Sequence, residues 1–133
     1  MGKSLEMKKI IHTQQAPAPI GPYNQATVAG NMVFVSGQIA IDPQSNELKL
    51  GNLAEETHLV LKNLGAVLEA AGSSYEQVLK CSIFLSSMDL FAEVNEIYAA
   101  YFPSDTAPAR ECVAVKTLPK NVNVEISAIA LVS

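Results

Sequence analysis

The sequence predicts an α+β fold in which one mixed β-sheet carries two helices packed on a single face. Three observations lead there. Strand-like runs resume after each helical run, in the order β-β-β-α-β-α-β-β, and strands that return after helices belong to one sheet. Two segments place apolar residues at helical spacing. The last strand is apolar on both sides: Val122, Val124, Ile126, Ala128 and Ala130 make one face, while Ile129 and Leu131 join Asn123, Glu125 and Ser127 on the other. Such a strand fits burial on two sides. With the helices on one face, other copies of the chain are expected to cover the second.

In order, Met7 to His12 reads as a short strand. Gln14 to Pro22 holds three prolines and Gly21, so it is an ordered loop. Gln25 to Ala29 and Met32 to Gln38 are two strands joined by a turn at Gly30-Asn31. Asp42 to Gly51 is polar, with a turn at Ser45-Asn46. The first helix carries Leu53, Thr57, Val60, Leu61, Leu64, Val67, Leu68 and Ala71 at helical spacing. Asn52 is its N-cap with Glu55 three residues on, and Gly72 is its left-handed stop. Val78 to Ser86 is a strand with Leu79, Cys81, Ile83 and Leu85 on one face. A second helix runs from about Met88 to Phe102 on the stripe Leu90, Val94, Ile97, Tyr98 and Tyr101, and Pro103 ends it. The last two strands, about Glu111 to Leu118 and Val122 to Val132, read as an antiparallel hairpin around Pro119-Lys120-Asn121. In that register Glu125 lies opposite about Val115 and Arg110 lies closer to Ala130, so the two do not pair.

The chain has 133 residues, which predicts one domain over 1–133. Only 17% of residues are charged, below the usual ~25%, and this also favours a surface shared with other subunits. Net charge is −4 and no basic cluster exceeds Lys8-Lys9, so nucleic acid is a poor partner. Cys81 and Cys112 make neither a disulfide framework nor a metal-ligand spacing, which favours a reducing compartment. No apolar run approaches a membrane span. The first residues lack a signal-peptide core, and Glu6 stands where a myristoylation start needs Ser or Thr. The expected location is the cytoplasm.

Two charges stand out in an otherwise apolar or uncharged stretch from Ala107 to Ala130: Arg110 and Glu125. A charge in a strand that looks buried asks for a partner. Arg110 follows Pro108-Ala109, and its planar fork suits a carboxylate; on the residue pattern alone, before the hairpin register is counted, capture of an anionic substrate and a structural ion pair with Glu125 or Glu111 stand about even. A half-buried Glu125 would have a raised pKa and hold or activate water, or else serve a lysine or backbone N–H groups. Cys112 shares the strand parity of Arg110, although a buried cysteine more often packs than attacks. Tyr23 is presented on a Pro-braced loop and either caps a pocket or packs there. Ser36-Gly37-Gln38 interrupts a strand with small and polar groups, as at a close approach to ligand or a sheet bend. Asn95 sits mid-helix and bonds either a ligand or a neighbouring loop. His12 and His58 have surface or packing roles.

Together these residues resemble the RidA/YjgF family over nearly the whole chain. The resemblance rests on Ala-Pro-Ile-Gly-Pro-Tyr at 18–23, Val-Ser-Gly-Gln at 35–38, Asn-Leu-Gly-Ala-Val-Leu-Glu-Ala-Ala-Gly at 63–72 and Val-Asn-Glu-Ile-Tyr at 94–98. It rests above all on Pro-Ala-Arg-Glu-Cys-Val at 108–113, followed by Leu-Pro-Lys-Asn-Val-Asn-Val-Glu-Ile at 118–126. The resemblance implies a chorismate-mutase-like homotrimer with sites between subunits. It also implies a cytoplasmic hydrolase for metabolite damage control. This enzyme would be a 2-iminobutanoate/2-iminopropanoate deaminase, turning enamines and imines such as 2-aminoacrylate into 2-keto acids and ammonia without cofactor or metal. Carried over by position, Arg110 would bind the substrate carboxylate and Glu125 would hold or activate water. Tyr23, Ser36, Gly37, Asn95 and Cys112 would line the pocket. Glu111 stands where the family commonly has a small residue, and Ser127 where it commonly has a second glutamate; both bear on substrate preference. A non-catalytic module binding small carboxylates is the alternative reading, and an endoribonuclease or translation inhibitor the next.

Overall fold

The first helix, α1 (Leu53–Ala70), forms where the apolar stripe predicts it. Asn52 is extended and its Oδ1 accepts the Glu55 N–H at 2.8 Å, which satisfies one of the free amides of the first turn. At the other end Gly72 takes φ +81° and the Ser73 N–H returns to the Leu68 carbonyl at 2.8 Å. Val60, Leu61, Leu64, Val67 and Leu68 are wholly buried, but so are Glu56, Thr57 and Asn63. The structure is a computed structural model that describes residues 7–133; the readings of residues 1–6 lie outside them.

The strands are β1 (Lys8–Ile11), β2 (Ala26–Ala29), β3 (Met32–Gln38), β4 (Val78–Leu85), β5 (Ala109–Ala114) and β6 (Val124–Leu131). They make one six-stranded mixed sheet in the order β1-β2-β3-β6-β4-β5. The second helix, α2 (Phe91–Tyr101), follows a 3-10 turn at Met88–Leu90 and links β4 to β5. Both helices cover one face, over a core that includes Cys81, Ile83 and Leu85 of β4 and Val124, Ile126, Ala128 and Ala130 of β6. The expected class and element order are therefore present.

The expected hairpin is not. β5 pairs with β4, in parallel, through Lys80↔Ala109 to Leu85↔Ala114. β6 inserts between β3 and β4, antiparallel to both. The physical reason is the α2 crossover: a strand–helix–strand unit lays β5 parallel beside β4, so β6 finds its partners on the other edge of β4. Glu125 is accordingly level with Phe84, and Arg110 with Cys81. The segment 119–121 reverses the chain with Lys120 and Asn121 at φ +55° and +57°. Leu79 also departs from expectation. A register shift between Val78 and Lys80 turns it out to 43% exposure, while Cys81, Ile83 and Leu85 keep the inner face.

The face away from the helices carries Phe34, Val113 and Leu131, all exposed, with Ile129 half-buried. Where β3 leaves the sheet after Gln38, a small second cluster of Ile39, Ile41, Leu118 and Val122 forms under the loops.

Candidate functional site

The site begins at a break in the ladder. β3 and β6 pair regularly from Met32↔Leu131 to Val35↔Ala128, then slip so that Gln38 meets Ile126. The slip falls on Ser36 and Gly37, the pair that reads as an interruption in the sequence. Ser36 is tied back to the preceding loop: its hydroxyl donates to the Asn24 carbonyl at 2.6 Å and its N–H to the Gln25 carbonyl at 2.9 Å. Gly37 is glycine for space. A Cβ there would sit 2.8 Å from the Glu125 carboxyl carbon, closer than unbonded carbons approach.

Beyond the slip lies a pocket of about 350 Å³ lined by Tyr23, Ser36, Gly37, Ile39, Pro119 and Glu125, among others. Its rim is the Pro-rich loop. Gln25, buried, braces that loop from behind: its Oε1 accepts the Thr13 N–H at 2.7 Å, and its amide donates to the carbonyls of Thr13, Ala16 and Pro17 at 3.0, 3.2 and 2.9 Å. Tyr23 stands half-exposed at the mouth. Glu125 is half-buried, and burial pushes its carboxyl above the ordinary value of 4.5. Among the described residues none of the side-chain hydrogen bonds ends on its carboxylate, so both oxygens are available to a water or ligand.

Arg110 lies elsewhere. It shares the helix-covered face with Cys81, its level partner in β4, and its guanidinium carbon sits 4.8 Å from the Tyr98 ring centre and 5.6 Å from that of Phe91. Two aromatic faces hold the cation, and no carboxylate among the described residues pairs with it within a salt-bridge distance. The ion-pair readings with Glu125 or Glu111 therefore fail. Glu111 points to the open face, where Lys80 pairs with it at 3.0 Å and the Ser82 hydroxyl donates to it. Cys112 follows Arg110 on the helix side, level with Ile83; burial pushes its thiol up, with Arg110 opposing, which disfavours a thiolate nucleophile. Asn95 is half-buried on α2, one turn on from Phe91.

The seven expected site residues thus fall into two groups. Tyr23, Ser36, Gly37 and Glu125 meet in the pocket on one side of the sheet. Arg110 and Cys112 lie on the other side against α2, the helix that carries Asn95 and the two rings. Ile39, Ile41, Gln25 and Pro119 belong to the pocket and went unread in the sequence; Gln25, a polar residue opening an apolar strand, carried a usable signal. The rings of Phe91 and Tyr98 are the other omission. His58 is a surface residue, its Nδ1 in hydrogen-bond contact with the Tyr101 hydroxyl at 2.8 Å. No group of three His, Cys, Asp or Glu side chains among the described residues is placed to hold a metal ion, and no helix among them is long and apolar enough to cross a membrane.

Comparison with known proteins bears on the family and the fold. The family model described as Endoribonuclease L-PSP matches residues 13–132. A RutC family protein of Pyrococcus horikoshii is 50% identical over 124 residues, covering 93% of this chain and 98% of its own. The 2-iminobutanoate/2-iminopropanoate deaminase of Mus musculus is 44% identical over 125 residues, covering 94% of this chain and 92% of its own. Among solved structures, that of Escherichia coli TdcF with bound serine superposes with a TM-score of 0.88 at 43% identity, covering 94% of this chain and 99% of its own.

Proposed function

The chain belongs to the RidA/YjgF family, and on that premise we propose that it is an imine deaminase whose site is shared between two copies of the chain in a homotrimer. The substrate is a small 2-imino or enamine acid, and the products are the 2-keto acid and ammonia. The observation that carries this reading is the pair of uncommitted charges. Among the described residues, Glu125 has a pocket and a carboxylate that no side-chain hydrogen bond engages, and Arg110 has a cation braced by two rings and no paired carboxylate. Since they lie on opposite sides of one sheet, a substrate that uses both must be held between copies, Arg110 of one and Glu125 of its neighbour. The exposed apolar face carrying Phe34 and Leu131 is where copies would meet.

In this reading Arg110 takes the substrate carboxylate in its fork. Glu125 accepts a proton from a bound water as the water oxygen bonds to the imine carbon and the C=N electron pair moves to nitrogen. Glu125 passes that proton to the nitrogen, and the C–N bond then breaks to release ammonia as the new hydroxyl gives its own proton back to Glu125 and its oxygen becomes the keto group. A protonated imine is already electrophilic, so positioning and one acid–base group suffice. Ser36, Gly37 and Tyr23 would shape the Glu125 half of the cleft, and Phe91, Asn95 and Cys112 the Arg110 half.

The test is keto-acid formation from the imines released by a serine or threonine dehydratase. Arg110→Ala is expected to abolish the acceleration while the oligomer persists; retained activity in that variant sinks the reading. The serine bound to the TdcF relative favours one second reading, a carboxylate-binding module without turnover. In that case the wild-type protein binds 2-keto acids, accelerates nothing, and Glu125→Gln binds as well as wild type.

A further inference from the structure

The pocket exists because β3 and β6 part company, and their parting leaves backbone groups without strand partners. On the β6 side, the last residue level with β3 is Ile126, although β4 stays paired down to Val124. On the β3 side the chain turns away through Ile39 and Ile41. Backbone groups left unpaired inside a protein are expensive. Here α1 supplies the missing partners. The Glu56 carboxylate, 0% exposed, accepts the Asn123 N–H at 2.7 Å, the Asn123 side-chain amide at 2.9 Å and the Val124 N–H at 3.2 Å. Two turns on and on the same helix face, the buried Asn63 amide donates to the Ile39 and Ile41 carbonyls at 3.1 and 3.0 Å. An acceptor meets the amides and a donor meets the carbonyls.

From this arrangement we propose that Glu56 is a positioning residue for Glu125, and that Glu56 and Asn63 together form a wedge holding β3 and β6 apart at the pocket. Glu56 grips the chain immediately before Glu125, on the side where the β3 ladder has ended. It fixes where the carboxylate enters the pocket and how much water reaches it. The titratable side chains around Glu125 are few. Among the described residues Tyr23 is the other one in the pocket wall; Lys80 and Glu111 pair with each other farther along the open face; Lys120, beside Pro119, is exposed.

The experiment follows the Glu125 carboxyl by carbon-13 titration in wild type, Glu56→Gln, Asn123→Ala and Leu68→Ala, with steady-state deaminase kinetics alongside. A glutamine at 56 sets an N–H donor against a backbone N–H donor. The strand end should loosen, water should reach Glu125, and its titration should move down toward 4.5, its ordinary value. The kcat should fall about tenfold, as a displacement well under 1 Å allows, with KM changing much less, because Arg110 is in the other half of the site. Asn123→Ala, which removes one of the three contacts, should act in the same direction more weakly, and serves if Glu56→Gln does not fold. Leu68→Ala opens a cavity at the far end of α1 and should destabilise the fold without moving the titration. The proposal is overturned if Glu125 titrates alike in wild type and both α1-contact variants, or if Leu68→Ala moves it as far. The kinetic half rests on the deaminase reading and the titration does not. A wild-type protein without activity therefore removes that reading and leaves the wedge to be judged on the titration.

Discussion

Glu125 is where local environment and chemistry meet most directly. Its pocket is lined largely by apolar side chains, and burial raises its pKa. The sign of the consequence is fixed. A carboxyl whose folded pKa exceeds its unfolded value favours the folded state below the unfolded pKa, and that advantage is lost as pH rises through the folded one. Glu125→Gln should therefore unfold at a higher temperature than wild type at pH 7, with the gap closing as pH falls through the raised value and closed once pH is below 4.5, the ordinary value. Thermal melts across that range check this; a variant less stable than wild type at pH 7 would show that the carboxylate has a favourable partner. For catalysis the same shift acts in the other direction. The base must be ionised, so kcat should fall as pH drops through a value above the ordinary glutamate value of 4.5. Arg110 and Glu125 were both legible as residues, because a charge in an apolar strand is conspicuous. Their relation was not, because it depends on which strands lie between them.

The elements divide the same way. α1 was legible to within a residue or two because its signals are local: an Asn cap, an apolar stripe, a terminal glycine. What the stripe hid was chemistry. Glu56 reads as one more acidic residue of a first turn, and only the sheet break it faces explains its burial. Gly65, in mid-helix, is similar: the Tyr75 ring packs against it and the Tyr75 hydroxyl donates to the Leu61 carbonyl at 2.7 Å. Alanine is the better helix former by about 1 kcal/mol, yet a Cβ at 65 would stand 2.5 Å from Tyr75 Cζ. Overpacking costs about 1–3 kcal/mol, so net of the ~1 kcal/mol of propensity Gly65→Ala should destabilise by up to about 2 kcal/mol, read from the denaturant midpoint; a stabilised variant would refute the packing argument. The hairpin expectation failed for a topological reason. Neighbouring strands usually pair, but the α2 crossover had already placed β5 on the far edge of β4. The pattern held a clue in Val124 to Leu131, apolar on both sides as a central strand is, beside an Ala109–Ala114 whose burial is that of an edge.

Across the molecule the sheet is a partition with one half of the proposed chemistry on each side. The open face joins Phe34, Ile129 and Leu131 to the Lys80–Glu111 pair, so in the proposed assembly Glu111 would bear on how copies meet rather than on the guanidinium it follows in sequence. Placing Arg110 and Glu125 back to back has a genetic consequence. Two inactive proteins, Arg110→Ala and Glu125→Gln, should rescue one another. Unfolded together and refolded as mixed assemblies, they would form some interfaces from the intact half of each. For random mixing and sites made by two distinct subunits, about a quarter of sites would be whole. Mixing the two without subunit exchange should give none. One polypeptide would then be a carrier of two separate alleles of function, and a defect in either could be masked by a neighbour.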